Sequence, residues 1–371
     1  MVRRPSRRAR AAQWLLLAAV LAVAYVIISD AADNLARRNL RFGFGFLGDR
    51  ANFDIPFHLV AWVDADTYGR ALWVSLLNTL LVSAMGIVTA TLLGLLIGIM
   101  RLSVNWLMRN VALGFIEFVR NTPQLVQIIF WYFAVLQTLP PPRGSIAIPG
   151  GLLLNIRGLY VPGAVMRPGS ELLSLLAVAL LIATPFFWRL RFRDRPVGVK
   201  ALTLPLFAAL LLAMGIEHIE FPILKGFNIA GGTQIPPELM ALWAGLSIYS
   251  SAFIAEIVRS AIEAVPKGQH EAAHSMGFRR APVLFLIVLP QAIRIMVPQL
   301  TSQYLNLIKS STLGAAVAYP ELFQIFAGTV MQQANKEVET IIVVMVVFLT
   351  INLLASAFMN WYNERVALVE R

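Results

Sequence analysis

The chain has 371 residues, of which 58% are hydrophobic and 14% are charged, well below the roughly 25% charged residues of a soluble domain. It contains no cysteine, which excludes a disulfide framework, a thiolate zinc site and an iron–sulfur centre. The formal net charge is +11, and the basic residues lie between long apolar runs, so they indicate membrane topology rather than nucleic-acid binding.

Long apolar runs predict that the chain crosses a membrane repeatedly. The apolar core of a bilayer is about 30 Å thick and needs roughly 20 apolar residues in a helix. Eight runs approach that length, near 12–29, 71–100, 111–138, 172–188, 201–217, 239–263, 292–312 and 339–360. The sequence therefore predicts an all-α integral membrane protein with about eight transmembrane helices.

The basic residues also predict the orientation. The N-terminus reads RRPSRRAR, and arginines before an apolar run hold that end in the cytoplasm. The pattern resembles a signal peptide with Ser29 and Ala31 at its cleavage site, but the apolar run is long for a signal, so we favour an uncleaved anchor. With eight helices both termini are cytoplasmic, and residues 30–68 and 139–170 are external. The segments 139–170 and 218–237 are rich in proline and glycine, which predicts turns rather than helix.

Three apolar runs carry polar residues at helical spacing. Polar groups in a bilayer are costly unless they face protein or a wet cavity, so these stripes predict a polar path across the membrane. The alternative is that they satisfy one another inside a packed bundle. The predicted pathway-lining residues are Glu117, Arg120, Asn121, Gln124, Gln127, Glu256, Gln299, Gln303 and Asn306, with Lys309 beside the last stripe.

Residues 270–274 read His-Glu-Ala-Ala-His, which matches the zinc motif of metalloproteases. Such a site needs a third ligand, and His58 and His218 are predicted on the opposite side of the membrane. An intramembrane zinc protease is therefore a weak hypothesis, and we expect no metal or other cofactor on this chain.

The same segment also follows the EAA pattern of permease subunits in ABC importers. Physically, it describes a short amphipathic helix, a glycine that ends it in a left-handed conformation, and a stretch that returns to the membrane. Such a helix suits docking into a groove of a soluble partner. The predicted ATPase-coupling residues are Gly268, Glu271, Ala272, Ala273, Gly277, Leu289 and Pro290.

The resemblance extends well beyond this loop. Residues 76–103, 115–133 and 255–313 resemble the polar amino-acid branch of ABC importer permeases, and Arg-Asn-Thr-Pro at 120–123 is the habitual tetrapeptide of that branch. The arrangement of the whole chain, which is longer than the five-helix core and contains NLARRNLRFGFGFL from residue 34, resembles the larger (Q-type) permease subunit of general L-amino-acid or glutamate/glutamine transporters.

This resemblance implies a five-helix type I importer core with additions. Residues 70–139 and 239–363 would form the two parts of the core, the second of which carries the cytoplasmic EAA loop. Residues 1–69 would form an N-terminal anchor helix and an external segment, residues 140–238 an inserted external loop and helix pair, and residues 364–371 a cytoplasmic tail.

The implied function is that of a permease subunit of an ATP-driven L-amino-acid importer in the bacterial inner membrane. The resemblance implies a second permease subunit in a heterodimer, two ATPase subunits and a periplasmic amino-acid-binding protein. The sequence contains no Walker A loop, so we expect ATP to be handled by a partner, coupled through the 265–290 loop. The alternative is a secondary amino-acid transporter driven by an ion gradient, which would explain the polar stripes but not the EAA loop.

Overall fold

The computed structural model describes residues 42–167, 170, 214–278 and 280–366, with isolated residues between 13 and 30 and at 176–177 and 209–210. The predicted helix at 12–29 is described only in short pieces, which are helical, and the predicted helices at 172–188 and 201–217 lie largely outside the described residues. The number of eight transmembrane helices therefore stays a prediction.

Three helices of the described part are long and apolar enough to cross a membrane. They are α1 (Tyr68–Arg101), α4 (Pro237–Glu263) and α9 (Glu337–Val366), and they confirm the predicted helices at 71–100, 239–263 and 339–360. Thr67 caps α1, because its side-chain oxygen accepts a hydrogen bond of 3.2 Å from the backbone N–H of Arg70.

The apolar run 111–138 forms two helices rather than one. The first is α2 (Trp106–Asn121) and the second is α3 (Gln124–Ile129), which continues as a π-helical turn (Phe130–Val135) and a 3-10 turn (Leu136–Thr138).

Pro123 explains this break. A proline disfavours helical backbone in the residue before it, and Thr122 is extended, with φ −101° and ψ 127°. Gln127 bridges the break, because its Nε2 donates hydrogen bonds to the carbonyl oxygens of Val119 at 3.0 Å and Thr122 at 3.1 Å.

The remaining helices follow α4 in the chain. They are α5 (Lys267–Ser275), α6 (Arg280–Val283) with a π-helical turn (Leu284–Val288), α7 (Leu289–Ser310) with a 3-10 turn (Ser311–Val317), a π-helical turn (Gln324–Val330) and α8 (Met331–Ala334). Helix α7 covers the predicted helix at 292–312.

The segments rich in proline and glycine form short antiparallel strands, so the all-α prediction was incomplete. The strands are β1 (Ile146–Ile148), β2 (Leu152–Asn155), β3 (Gly158–Val161), β4 (Gly163–Met166), β5 (Ile216–Glu220), β6 (Ile223–Lys225), β7 (Asn228–Ala230) and β8 (Thr233–Ile235). One sheet has the order β1-β2-β3-β8, while β4 pairs with β5 and β6 pairs with β7. Strands of three to five residues are too short to show an alternating pattern.

Helices α1 and α4 pack closely along glycines of α1. A Cβ atom at Gly94 would lie 2.5 Å from Cγ2 of Ile254, and one at Gly98 would lie 2.8 Å from the carbonyl oxygen of Ala255. The small residues on this face of α1 therefore let α4 approach closely.

The segment from residue 42 to 67 is a packed cap, although the sequence suggested a loop or an interfacial segment. Its side chains Phe46, Ile55 and Trp62 are buried in a cluster with Val74 of α1 and Val343 of α9. The backbone N–H of Gly43 donates a hydrogen bond of 3.1 Å to Oε1 of Glu339, which fixes the start of the cap on α9.

Candidate functional site

A cleft of about 310 Å³ lies where three helices with polar side chains meet. Its walls are the first residue of α3, the middle of α4 and the C-terminal third of α7. The lining residues are Gln124, Tyr249, Ser250, Phe253, Gln303, Asn306, Leu307, Lys309 and Ser310. The structure thus brings together three predicted pathway residues, Gln124, Gln303 and Asn306, from two separate parts of the sequence.

The cleft lies halfway along α4. Tyr249 and Phe253 lie near the middle of α4, and Gln124 lies at the break between α2 and α3. A helix of 27 residues, such as α4, is about 40 Å long at about 1.5 Å per residue. In a helix that crosses the bilayer, this position is close to the midplane.

The polar groups of the cleft include one cation and no carboxylate, which suits an anion. Lys309 is the one charged side chain among its lining residues, and no acidic side chain is among them. Nε2 of Gln124 is buried and has no hydrogen-bond partner among the described residues. The guanidinium of Arg120 lies 5.2 Å from the ring centroid of Phe253, so a second cation lies behind the wall of the cleft.

Two predicted pathway residues of α2 lie outside the cleft. Glu117 and Asn121 are exposed, and Nδ2 of Asn121 donates a hydrogen bond of 3.4 Å to Oε2 of Glu117. They share a helix face with Arg120, as predicted, but the chain bends after Asn121 and only Gln124 reaches the lining.

Three further predicted residues are also placed elsewhere. Gln127 is buried and bonds to backbone carbonyls at the helix break. Glu256 forms an ion pair of 2.9 Å with Arg259, one turn along α4. Gln299 is exposed and does not line the cleft.

Sequence reasoning missed the part that α4 plays in the cleft. Tyr249 and Phe253 lie four residues apart and therefore on one face, but they belong to an apolar run and looked like core residues. The sequence alone could have assigned Lys309 to the cleft, because a lone cation inside an apolar run is itself a candidate functional residue.

The predicted coupling helix is α5, and its end has the predicted form. Gly277 has φ 79°, and the N–H of Phe278 donates to the carbonyl of Ala273 at 3.2 Å, which is the 6→1 hydrogen bond of a Schellman motif. No atom lies within 4 Å of a Cβ placed at Gly277 or Gly268. Glycine at 277 is therefore favoured by backbone conformation and not by a lack of space.

The two alanines of the EAA pattern face opposite ways. Ala273 is 2% exposed and packs in a cluster with Val265 and Val283, so it attaches α5 to the rest of the chain. Ala272 is exposed. The expectation that both alanines face a partner surface was therefore wrong for Ala273.

Glu271 is exposed in the middle of the nine-residue helix α5, and no acidic residue lies in the first turn. The expectation that its carboxylate meets the positive end of the helix dipole was therefore wrong, because that effect is confined to the first turn. Leu289 and Pro290 begin α7 directly after a π-helical turn. Proline lacks the N–H of a regular helical turn, so this pair shapes the path of α7.

The histidines of the HEAAH sequence are not part of a described metal cluster. The side chains of His270 and His274 lie outside the described atoms. In the part of the chain that is described, no group of three His, Cys, Asp or Glu could hold a metal ion. The absence of zinc stays a prediction.

Residues 90–368 match the family described as binding-protein-dependent transport system inner membrane component. The chain is 44% identical to a putative amino-acid ABC transporter permease protein, YhdX, of Escherichia coli K12, over 99% of this chain and 96% of the relative. It is 41% identical to the general L-amino acid transport system permease protein AapQ of Rhizobium johnstonii, over 96% and 92% of the two chains. It is 35% identical to the glutamate/glutamine/aspartate/asparagine transport system permease protein BztB of Rhodobacter capsulatus, over 97% and 93%.

Among solved structures, the chain resembles a crystal structure of an amino acid ABC transporter with histidines, with a TM-score of 0.51 at 20% identity. The match covers 80% of this chain and 95% of the chain in that crystal structure. At this identity the match shows a shared fold. These relatives are ABC permeases, which does not support the alternative of a secondary transporter driven by an ion gradient. Because the family match and the 44% identity extend over most of its length, the chain belongs to the family of binding-protein-dependent transport system inner membrane components.

Proposed function

We propose that the chain is the permease subunit of an ATP-driven ABC importer for L-amino acids. The observation that carries this proposal is the polar cleft between α3, α4 and α7, in a chain that also presents the exposed helix α5. Three relatives that match nearly the whole chain are amino-acid transport permeases by name, which supports amino acids as the cargo.

The cleft would form part of the translocation pathway. Every amino acid carries a carboxylate, and a carboxylate fits the ammonium of Lys309 and the unpaired amide of Gln124. The half-buried rings of Tyr249 and Phe253 would contact the apolar part of the cargo. Because no acidic residue is among the lining residues, the cleft favours anionic and neutral amino acids over cationic ones.

The partners follow from the proposed function. A second permease subunit would complete the pathway, an external binding protein would deliver the cargo, and two ATPase subunits would bind and hydrolyse ATP. We propose the exposed face of α5, with Gln269, Glu271, Ala272 and Met276, as the surface that meets an ATPase. The chain itself would need no cofactor.

We further propose the domain boundaries and topology predicted from the sequence, with both termini in the cytoplasm of a bacterium. Single cysteines at Ala147 and Gln269, both exposed, test this topology in the cysteine-free chain. An impermeant thiol reagent should label Ala147→Cys in intact cells and Gln269→Cys only after lysis. The opposite pattern would invert the proposed orientation.

The function is tested in proteoliposomes that contain the whole complex from the native operon. We expect uptake of labelled glutamate or glutamine that requires ATP and the binding protein. Uptake that proceeds without ATP and follows an imposed ion gradient would overturn the proposal.

A further inference from the structure

Strands β6 and β7 form a two-stranded ribbon with uncovered apolar side chains. The ribbon turns at Gly226 and Phe227, and Gly226 has φ 67°. The side chain of Phe227 is 74% exposed. Ile223 and Leu224 point to opposite faces of the strand, and both are exposed. Exposed apolar side chains on both faces of a ribbon and at its tip indicate an interaction site.

Two arginines fix the tip of the ribbon. The guanidinium of Arg143 lies 3.4 Å from the ring centroid of Phe227. Nη1 of Arg157 donates a hydrogen bond to Oδ1 of Asn228. The tip is therefore held in one orientation, although a lone two-stranded ribbon is only marginally stable in water.

The chain on each side of the ribbon leads toward the membrane. Before the ribbon, β4 and β5 are paired, and the N–H of Arg167 donates a hydrogen bond of 2.9 Å to the carbonyl of Gly215. The chain thus leaves and returns at one place, and the sequence between these residues predicts two transmembrane helices. After the ribbon, β8 ends at Ile235, and the long apolar helix α4 begins at Pro237.

These connections keep the ribbon near the bilayer. Ile223 is eight residues from Gly215, so at about 3.3 Å per residue it lies within about 26 Å of the point where the paired strands meet the predicted helices. At its other end the ribbon continues into β8, which ends at Ile235, just before the start of α4.

The side chains of the ribbon have the composition of a membrane–water interface. Segments that lie in the interfacial layer combine apolar side chains such as Phe and Leu with Lys and Arg, whose apolar stems lie along the layer and whose charged groups meet the lipid phosphates. The ribbon combines Phe227, Ile223 and Leu224 with the exposed cations Lys225 and Arg143.

We propose that the β6–β7 ribbon inserts its tip into the interfacial layer of the lipid bilayer at the N-terminal end of α4. Phe227 at the tip, with Ile223 and Leu224 on the two faces of β6, enters the interfacial layer, and Lys225 and Arg143 meet lipid phosphates. The ribbon thereby anchors the β-strands to the membrane. This inference does not depend on which cargo is transported.

The test uses the absence of native cysteine. An environment-sensitive fluorophore is attached to Phe227→Cys, and separately to Leu224→Cys, which leaves the Arg143–Phe227 contact intact. The control is Asp64→Cys in the cap of residues 42–67, where the native side chain is charged and exposed. The purified subunit is placed in lipid nanodiscs with and without a nitroxide-headgroup lipid.

We expect a blue-shifted emission and several-fold stronger quenching by the nitroxide lipid at positions 224 and 227 than at position 64, with no other protein present. Equal quenching at all three positions would overturn the proposal. So would protection at 224 and 227 that develops only when the binding protein or the second permease subunit is added, because the ribbon would then be a protein-docking surface.

Discussion

The side-chain oxygen of Thr79 accepts a hydrogen bond of 3.0 Å from the backbone N–H of Leu322, which lies 243 positions later in the chain. Beside it, Nδ2 of Asn78 donates to the carbonyl of Pro320 at 2.9 Å. These two adjacent residues of α1 therefore hold the connection between α7 and α9 in place.

The Thr79→Val variant should be destabilised, because it leaves the buried N–H of Leu322 without a partner. An unsatisfied buried donor costs about 1–3 kcal/mol. The matched control is Thr350→Val on α9, where the hydroxyl is exposed and bonds only to the carbonyl of Val346 in its own helix. Thermal unfolding followed by size-exclusion chromatography should show a lower midpoint for Thr79→Val alone. Equal midpoints for the two variants would contradict this role for Thr79.

The Gly94→Ala variant should separate α1 from α4, because its new methyl group would lie 2.5 Å from Ile254 and 2.9 Å from the carbonyl oxygen of Ser251. Overpacking of this kind costs about 1–3 kcal/mol. At Gly114 no atom lies within 4 Å of an added Cβ, so Gly114→Ala should be harmless. Yield and thermal stability in detergent measure the difference. A Gly94→Ala protein as stable as wild type would show that α1 and α4 can move apart without loss of stability.

Protonation of Glu321 should stabilise the protein. Its carboxylate is fully buried, and burial raises its pKa to about 7, although the backbone N–H groups of Phe323 and Gln324 oppose the shift. Because the pKa is higher in the folded than in the unfolded state, its contribution to stability is fully present below about pH 4.5 and is lost as pH rises toward 7.

The Glu321→Gln variant removes this titration. Its unfolding midpoint should therefore fall less than that of wild type between pH 5 and pH 7. The Glu337→Gln variant, which removes an exposed glutamate carboxylate, serves as a control. Parallel pH profiles for Glu321→Gln and wild type would show that Glu321 does not titrate in this range.

The Lys309→Met variant should weaken uptake of acidic amino acids. A hydrogen bond to a charged group contributes about 1.5–3 kcal/mol, so KM should rise about tenfold or more. The Lys309→Arg variant keeps the charge and should retain most of the affinity. Uptake in proteoliposomes over a range of glutamate concentrations gives both values. An unchanged KM in Lys309→Met would show that the cleft is not part of the translocation pathway.

Substitution of Gly277 should disturb coupling through the backbone alone. A β-branched residue in the left-handed conformation costs roughly 1–2 kcal/mol, whereas asparagine adopts that conformation more readily. We therefore expect Gly277→Val to lower the ratio of amino acid transported to ATP hydrolysed, and Gly277→Asn to have a smaller effect. If Gly277→Val inserts, binds the ATPase and transports at the wild-type rate, α5 is not the coupling helix.

The sequence predicts the long helices well because they depend on local apolar composition, as α1 and α9 show. It also predicts the left-handed backbone conformation of Gly277, since a helix that ends in this conformation favours glycine there. It does not predict which polar residues meet, because the cleft depends on the bend at Thr122 and on the packing of α4 against α7. Gln127 and Gln124 look equivalent in the sequence, yet one satisfies carbonyls within the bend and the other faces the cleft.

The hydrogen bonds of Gln127 have a consequence for how the cleft responds to its cargo. The two carbonyls released by the bend are already satisfied from within the same segment, so the bend needs no ligand to persist. A single straight helix would require Gln127 to give up both bonds and Pro123 to tolerate a helical neighbour. The wall that carries Gln124 is therefore preorganised, and differences between outward-open and inward-open states must come from the helices opposite it.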